Sequence, residues 1–74
     1  MNVEIFYAKW HYGLRASRVE DEIRESFPQA NINVIASSFG DFRVVIDGKV
    51  IYDRDDTQDF PKIFEITKLI NAID

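Results

Sequence analysis

His11 is the only side chain in this 74-residue chain whose ordinary pKa lies near neutrality, so any acid–base chemistry would start there. A general base of that kind needs a carboxylate to orient it and a nucleophile beside it. Ser17, Ser37 and Ser38 are of the right type, but no spacing ties them to His11, which reads as a solvated loop histidine. One histidine and no cysteine leave no His/Cys zinc site. The acid run Asp53, Asp55, Asp56 and Asp59 lacks the glycine and terminal glutamate of an EF-hand loop and reads as solvated. The expectation is no catalytic residue, no metal and no cofactor. The missing cysteine excludes one reaction class outright. A thiolate is the attacking group in thiol–disulfide exchange, and no other side chain replaces it.

What the same stretch offers is binding chemistry, at Ala8, Lys9, Trp10, His11, Tyr12 and Arg15. Trp10 and Tyr12 flank His11, and loop aromatics supply rigid contact area with a polar handle. The alternative is a ring folded back over a small core. Lys9, His11 and Arg15 surround the start of a helix, whose free amides and dipole favour negative charge. Residues 1–18 carry Lys9, Arg15 and Arg18 against Glu4 alone, a balance of +2 in a chain whose net charge is −4. The expected partner is a protein, or a small anion such as phosphate, at the Lys9/His11/Arg15 end. The competing reading has Arg15 and Arg18 spent along their own helix, Arg18 pairing with Glu22 at i+4.

The elements that must hold this stretch are legible from periodicity. Val3 to Tyr7 alternates as a strand, and Ala8 to Gly13 breaks the pattern as a loop. Leu14 to Phe27 predicts a helix, with Ala16, Val19, Ile23 and Phe27 on one face and Pro28 as its stop. Ile32 to Ala36 is a second strand and Ser37 to Asp41 a turn. Phe42 to Ile46 and Lys49 to Tyr52 flank Asp47-Gly48, the signature of a type I′ hairpin. Asp53 to Asp59 reads as a polar loop. Asp59 then caps a last helix with Pro61 in its first turn and a stripe of Ile63, Ile66, Ile70 and Ile73, widened by Phe60, Phe64 and Leu69. The expected core is Ile5, Val19, Ile23, Val34, Val44, Ile63, Ile66 and Ile70. The order β-α-β-β-β-α, with a right-handed crossover and a hairpin, predicts a two-layer α/β sandwich on a mixed four-stranded sheet.

A chain this short makes one domain at most, spanning 1–74, and holds its fold without disulfides. Its 46% hydrophobic content, with six Phe, three Tyr and one Trp, makes that feasible and argues against disorder. The acidic net charge excludes the electrostatic footprint of a nucleic-acid binder. No apolar run approaches the ~18 residues that span a bilayer. The opening residues Met1-Asn2-Val3-Glu4 show no signal pattern, so a soluble cytoplasmic protein is expected.

The run Phe42-Arg43-Val44-Val45-Ile46-Asp47-Gly48-Lys49-Val50-Ile51-Tyr52-Asp53-Arg54, followed by Phe60-Pro61, resembles the Rdx or selenoprotein W family. So does Val3-Glu4-Ile5 leading through a loop to Leu14-Arg15-Ala16. The resemblance covers nearly the whole chain and implies a thioredoxin-like βαβββα fold. It also implies a Cys-x-x-Cys or Cys-x-x-selenocysteine in the loop before the first helix. Here that loop is Tyr7-Ala8-Lys9-Trp10-His11-Tyr12-Gly13, one residue shorter than the family pattern. Ala8 and His11 occupy the redox positions if the first strand sets the register, and Tyr7 and Trp10 if the helix does. Neither register supplies a sulfur, so the family's oxidoreductase activity transfers to no residue of this chain. The glycine-rich turn of similar proteins is also altered, with Ser37, Ser38 and Phe39 leaving only Gly40. Both departures fall on the face where the family reacts with its partners.

Three functions are compatible with these residues. One is a redox-inactive binding or adaptor module working through the loop before the first helix. Another is a natural descendant or redesigned variant of a thiol–disulfide oxidoreductase. The third is a non-redox enzyme using His11.

Overall fold

A computed structural model describes residues 1–73. The chain runs β1 (Asn2–Ala8), α1 (Gly13–Ser26), β2 (Asn31–Ser37), β3 (Phe42–Ile46), β4 (Lys49–Asp53), α2 (Arg54–Thr57) and α3 (Glu65–Asn71). The four strands form one sheet in the order β2-β1-β3-β4. β1 pairs in parallel with β2, as the crossover through α1 requires, and antiparallel with β3. The hairpin turn has positive φ at both Asp47 and Gly48, the left-handed pair that a two-residue type I′ turn needs. Asp47 also anchors the hairpin to β1, its N–H donating to the Asn2 carbonyl and its carboxylate accepting from the Asn2 N–H, both at 2.8 Å.

Val3 and Ile5 of β1 and Phe42 and Val44 of β3 point to the helix side of the sheet and are fully buried. Ala16, Val19 and Ile23 of α1 and Ile66 and Ile70 of α3 close over them. Six of the eight expected core residues are thus buried, and the other two are corrected. Val34 is 38% exposed because β2 is the outer strand of the sheet, with no neighbour beyond it. Ile63 is 70% exposed because it precedes the last helix instead of belonging to it.

That second correction has a local cause. Asp59 does not cap the last helix; its carboxylate accepts from the adjacent Phe60 N–H. Pro61 holds Phe60 out of helical geometry, and the Phe60 ring packs edge-on against Phe42 at 5.4 Å between centroids. The chain stays irregular to Phe64, which sits at φ 62° with its N–H donated to the Glu22 carboxylate of α1. Helix α3 starts only at Glu65, whose carboxylate reaches back to the Lys62 N–H at 2.9 Å. The expected polar loop at 53–59 contains the one-turn α2, capped by Asp53 through the Asp55 N–H. Tyr52 pins it, donating its hydroxyl hydrogen to the Asp59 carbonyl at 2.6 Å and accepting from Thr57 at 3.0 Å. Burial pushes the Tyr52 phenol pKa up, which favours the protonated form that makes the first of these bonds. No helix of the described residues is long and apolar enough to cross a membrane.

Candidate functional site

The loop between β1 and α1 and the turn between β2 and β3 meet at one end of the sheet. The Ala8 N–H donates to the Asp41 carbonyl at 2.8 Å, which ties the two segments together. The Ala8 carbonyl accepts from His11 and Tyr12 at 3.2 and 2.9 Å, which folds residues 8–12 into a tight turn. Trp10 and His11 are thrown outward at its tip. The turn opposite is fixed by Gly40 at φ 82°, by the Asp41 N–H donating to the Ser38 carbonyl, and by Asp41 itself. The Asp41 carboxylate accepts from Ser37 Oγ at 2.5 Å and from Arg43 Nε and Nη2 at 2.9 and 3.0 Å.

Burial alone would raise the Asp41 pKa, but the hydrogen bonds from Arg43 and Ser37, with the Arg43 charge, outweigh it and hold the carboxyl below its ordinary value. Arg43 is shifted up, chiefly by its bond to Asp41. Because the folded pKa of Asp41 is depressed, its stabilisation is present above the unfolded value of 3.8 and is lost as pH falls through the folded value. Asp41→Asn should therefore be less stable than wild type at neutral pH by about 1 kcal/mol for this partly solvated pair, and melt earlier. The two curves should converge below pH 3.8. Parallel pH–melting profiles would mean the Asp41–Arg43 pair does not hold the turn.

Between loop and turn lies a recess of about 340 Å³ lined by Ala8, Lys9, Trp10, His11, Ala36, Ser37 and Phe39. Trp10 and Phe39 are each 86% exposed, and His11 stands edge-on to Phe39 at 5.3 Å between ring centroids. The Lys9 ammonium lies 5.5 Å from the Trp10 ring centre. The expected site residues are only partly gathered here. Ala8 lines the recess but is buried at 2% exposure, so its part is to shape the turn. Of the two aromatics, Trp10 faces solvent, while Tyr12 folds back onto the core and meets Phe60 edge-on at 4.7 Å.

Arg15 lies in a different place. Its guanidinium stacks 4.5 Å from the Phe60 centre and lines a groove between α1 and residues 60–64, away from the Lys9 and His11 recess. The three cations therefore do not line one recess. Arg18 makes no ion pair with Glu22, whose carboxylate instead holds Phe64; the ion pair along α1 is Glu20 with Arg24 at 2.7 Å. Helix α1 starts at Gly13 with Tyr12 as N-cap and no side chain capping its first amides.

Chemically the end offers contact area more than reactivity. Among the described residues no carboxylate bonds to His11, and Ser37 gives its hydroxyl hydrogen to Asp41, so no base–nucleophile pair is formed. No group of three His, Cys, Asp or Glu side chains converges on a metal position among the described residues. Two features escaped sequence reading. Phe39 appeared as a turn residue replacing glycine, although a lone large ring in a serine-rich turn is itself a signal of exposed contact surface. Phe60 links core to loop, with Arg15 and Arg54 stacked over it at 4.5 and 4.8 Å.

A mixed sheet of order β2-β1-β3-β4 with helices on one face is a thioredoxin-like α+β domain. The chain belongs to the Rdx family, whose model matches residues 2–72. Its backbone is similar to a selenoprotein W-related protein from Vibrio cholerae, with a TM-score of 0.86 at 19% identity over 95% of this chain and 91% of that one. A protein from Bordetella parapertussis gives 0.87 at 20% identity over 95% and 92%. At these identities the likeness establishes the fold. No curated protein matches the chain.

Proposed function

We propose that this chain is a redox-inactive Rdx-family domain that binds a protein partner through the end built by the β1–α1 loop and the β2–β3 turn. The observation that carries the reading is the exposure of Trp10 and Phe39, 86% each, in the lining of one recess that His11 shares, edge-on to Phe39. Leaving two large rings in water forgoes apolar burial worth about 1.5–3 kcal/mol each. Neither ring fills the core, and hot spots of protein interfaces are drawn from such residues. A polypeptide fits better than a small anion, because Lys9 and Arg15 are stacked on separate rings in separate depressions.

With no sulfur in either register of the family motif, the domain should leave insulin disulfides intact and consume no NADPH through a coupled reductase. The deciding experiment is affinity capture from the source lysate, wild type against Trp10→Ala/Phe39→Ala. Both positions are exposed, so the double variant should keep its melting temperature within the range of surface substitutions. At least one protein should be retained by wild type and drop about ten-fold or more with the variant, the effect of losing hot-spot rings. Identical retained sets would overturn the reading.

A further inference from the structure

Beyond the loop end, the two margins of the sheet are built differently. The β4 margin carries Lys49 and Asp53, is broken by a register shift opposite Val44 and Val45, and runs directly into α2. Charge, irregularity and a covering segment are the devices by which sheet edges are kept from pairing with other chains. The β2 margin has none of them. From Ser26 to Gly40 the chain has no ionisable side chain, although 30% of its residues are charged. β2 contains no proline, and it pairs with β1 without a shift from Asn31 to Ser37.

We propose that this margin is a self-association surface, on which a second copy of the chain pairs β2 against β2 in antiparallel fashion about a two-fold axis at Val34. The register follows from the backbone. Asn31 turns its N–H toward β1, donating to the Met1 carbonyl at 2.9 Å. Alternation along a parallel strand then turns the N–H and C=O groups of Ile32, Val34 and Ala36 outward. Among the described residues none of these outward groups has a side-chain partner. An axis through Val34 sets Val34 opposite its own copy and Ile32 opposite Ala36 of the second chain. Every outward donor then meets an outward acceptor.

The side chains suit the same register. Val34, 38% exposed, meets its copy, and Asn33 comes opposite Ile35, Asn31 opposite Ser37, with no charge on either side. This matters because each copy has a net charge of −4, and two such chains approach most cheaply along the one long uncharged segment they have. The contact is isologous and closes, joining two four-stranded sheets into one and leaving only the guarded β4 margins outside.

The test is the mass of the full chain by sedimentation equilibrium from about 10 µM to about 1 mM, the span in which a single strand pair of modest area should populate. It is read together with amide hydrogen exchange at both ends of that range. The mass should rise from 8.6 kDa toward twice that value. Over the same range the Ile32, Val34 and Ala36 amides should gain protection, while Asn33 and Ile35, bonded to β1, stay protected throughout. Val34→Lys places two like charges directly opposite each other and should hold the mass at the monomer value. If that variant does not fold, the concentration dependence of the wild-type amides decides alone. A monomer at 1 mM would overturn the proposal, as would a dimer in which those three amides exchange freely. Protection of the three amides by an extended peptide, in a chain that never self-associates, would equally overturn it.

Discussion

Ile66→Ala is expected to lower stability by about 2–5 kcal/mol, the range for emptying a fully buried aliphatic site. The Ile66 side chain of α3 has no exposure and is part of the core that α1 and the sheet share. So small a domain has a total stability of about 5 kcal/mol, and the variant should lie near or past its unfolding midpoint at room temperature. Urea denaturation measures this directly, and Ile23→Ala, equally buried in α1, should behave alike. Ile63→Ala is the internal control. It lies one turn earlier on the apolar stripe, but at 70% exposure it should change stability by no more than about 0.5 kcal/mol. Equal effects at 63 and 66 would mean that the helix begins near Asp59 after all.

Phe60→Ala should cost about 2–4 kcal/mol, a little below the fully buried range because the ring is half-buried. Its consequences should also reach the loop between β1 and α1. Phe60 touches Phe42 of the core on one side and Tyr12, the N-cap of α1, on the other, while Arg15 and Arg54 stack over it. Removing it takes away the contact that folds Tyr12 inward. It also leaves Arg54, whose Nε is buried without a hydrogen-bond partner among the described residues, without one of its two rings. Amide shifts should therefore spread from residues 58–64 to residues 10–15. Shifts confined to residues 58–64 would show that loop and core are uncoupled.

The parts of this fold that were legible in the sequence are those written in local chemistry. The Asp47-Gly48 turn, the Val19 and Ile23 face and the stop at Pro28 each depend on neighbours within a few residues. The first and last strands of the sheet could not be told apart from its middle by the same means. Ile32-Asn33-Val34 reads as a core strand, and only the tertiary order β2-β1-β3-β4 makes it an edge and exposes Val34. The end of the chain misled for a related reason. Phe60, Ile63 and Phe64 continue the helical stripe in spacing. The packing of Phe60 against Phe42 and the hold of Glu22 on the Phe64 N–H, forty-two residues away in sequence, keep the segment unwound. At the site, the loop residues were found by type, but their partition was not. Whether Trp10 or Tyr12 would turn outward, and whether Arg15 would join Lys9, depended on Phe60 and Phe39, which approach from other parts of the chain.

The proposed binding of a protein partner by this thiol-free Rdx-family domain, at the β1–α1 loop and the β2–β3 turn, is open to direct test. Its most direct measurement is amide NMR of the labelled chain as the partner captured by wild type is added. Shifts and broadening should concentrate at residues 8–14 and 36–40, with the Trp10 indole signal among the first to move and no response in Trp10→Ala/Phe39→Ala. Perturbation centred instead on the groove between α1 and residues 60–64, with residues 8–14 and 36–40 unmoved, would contradict it.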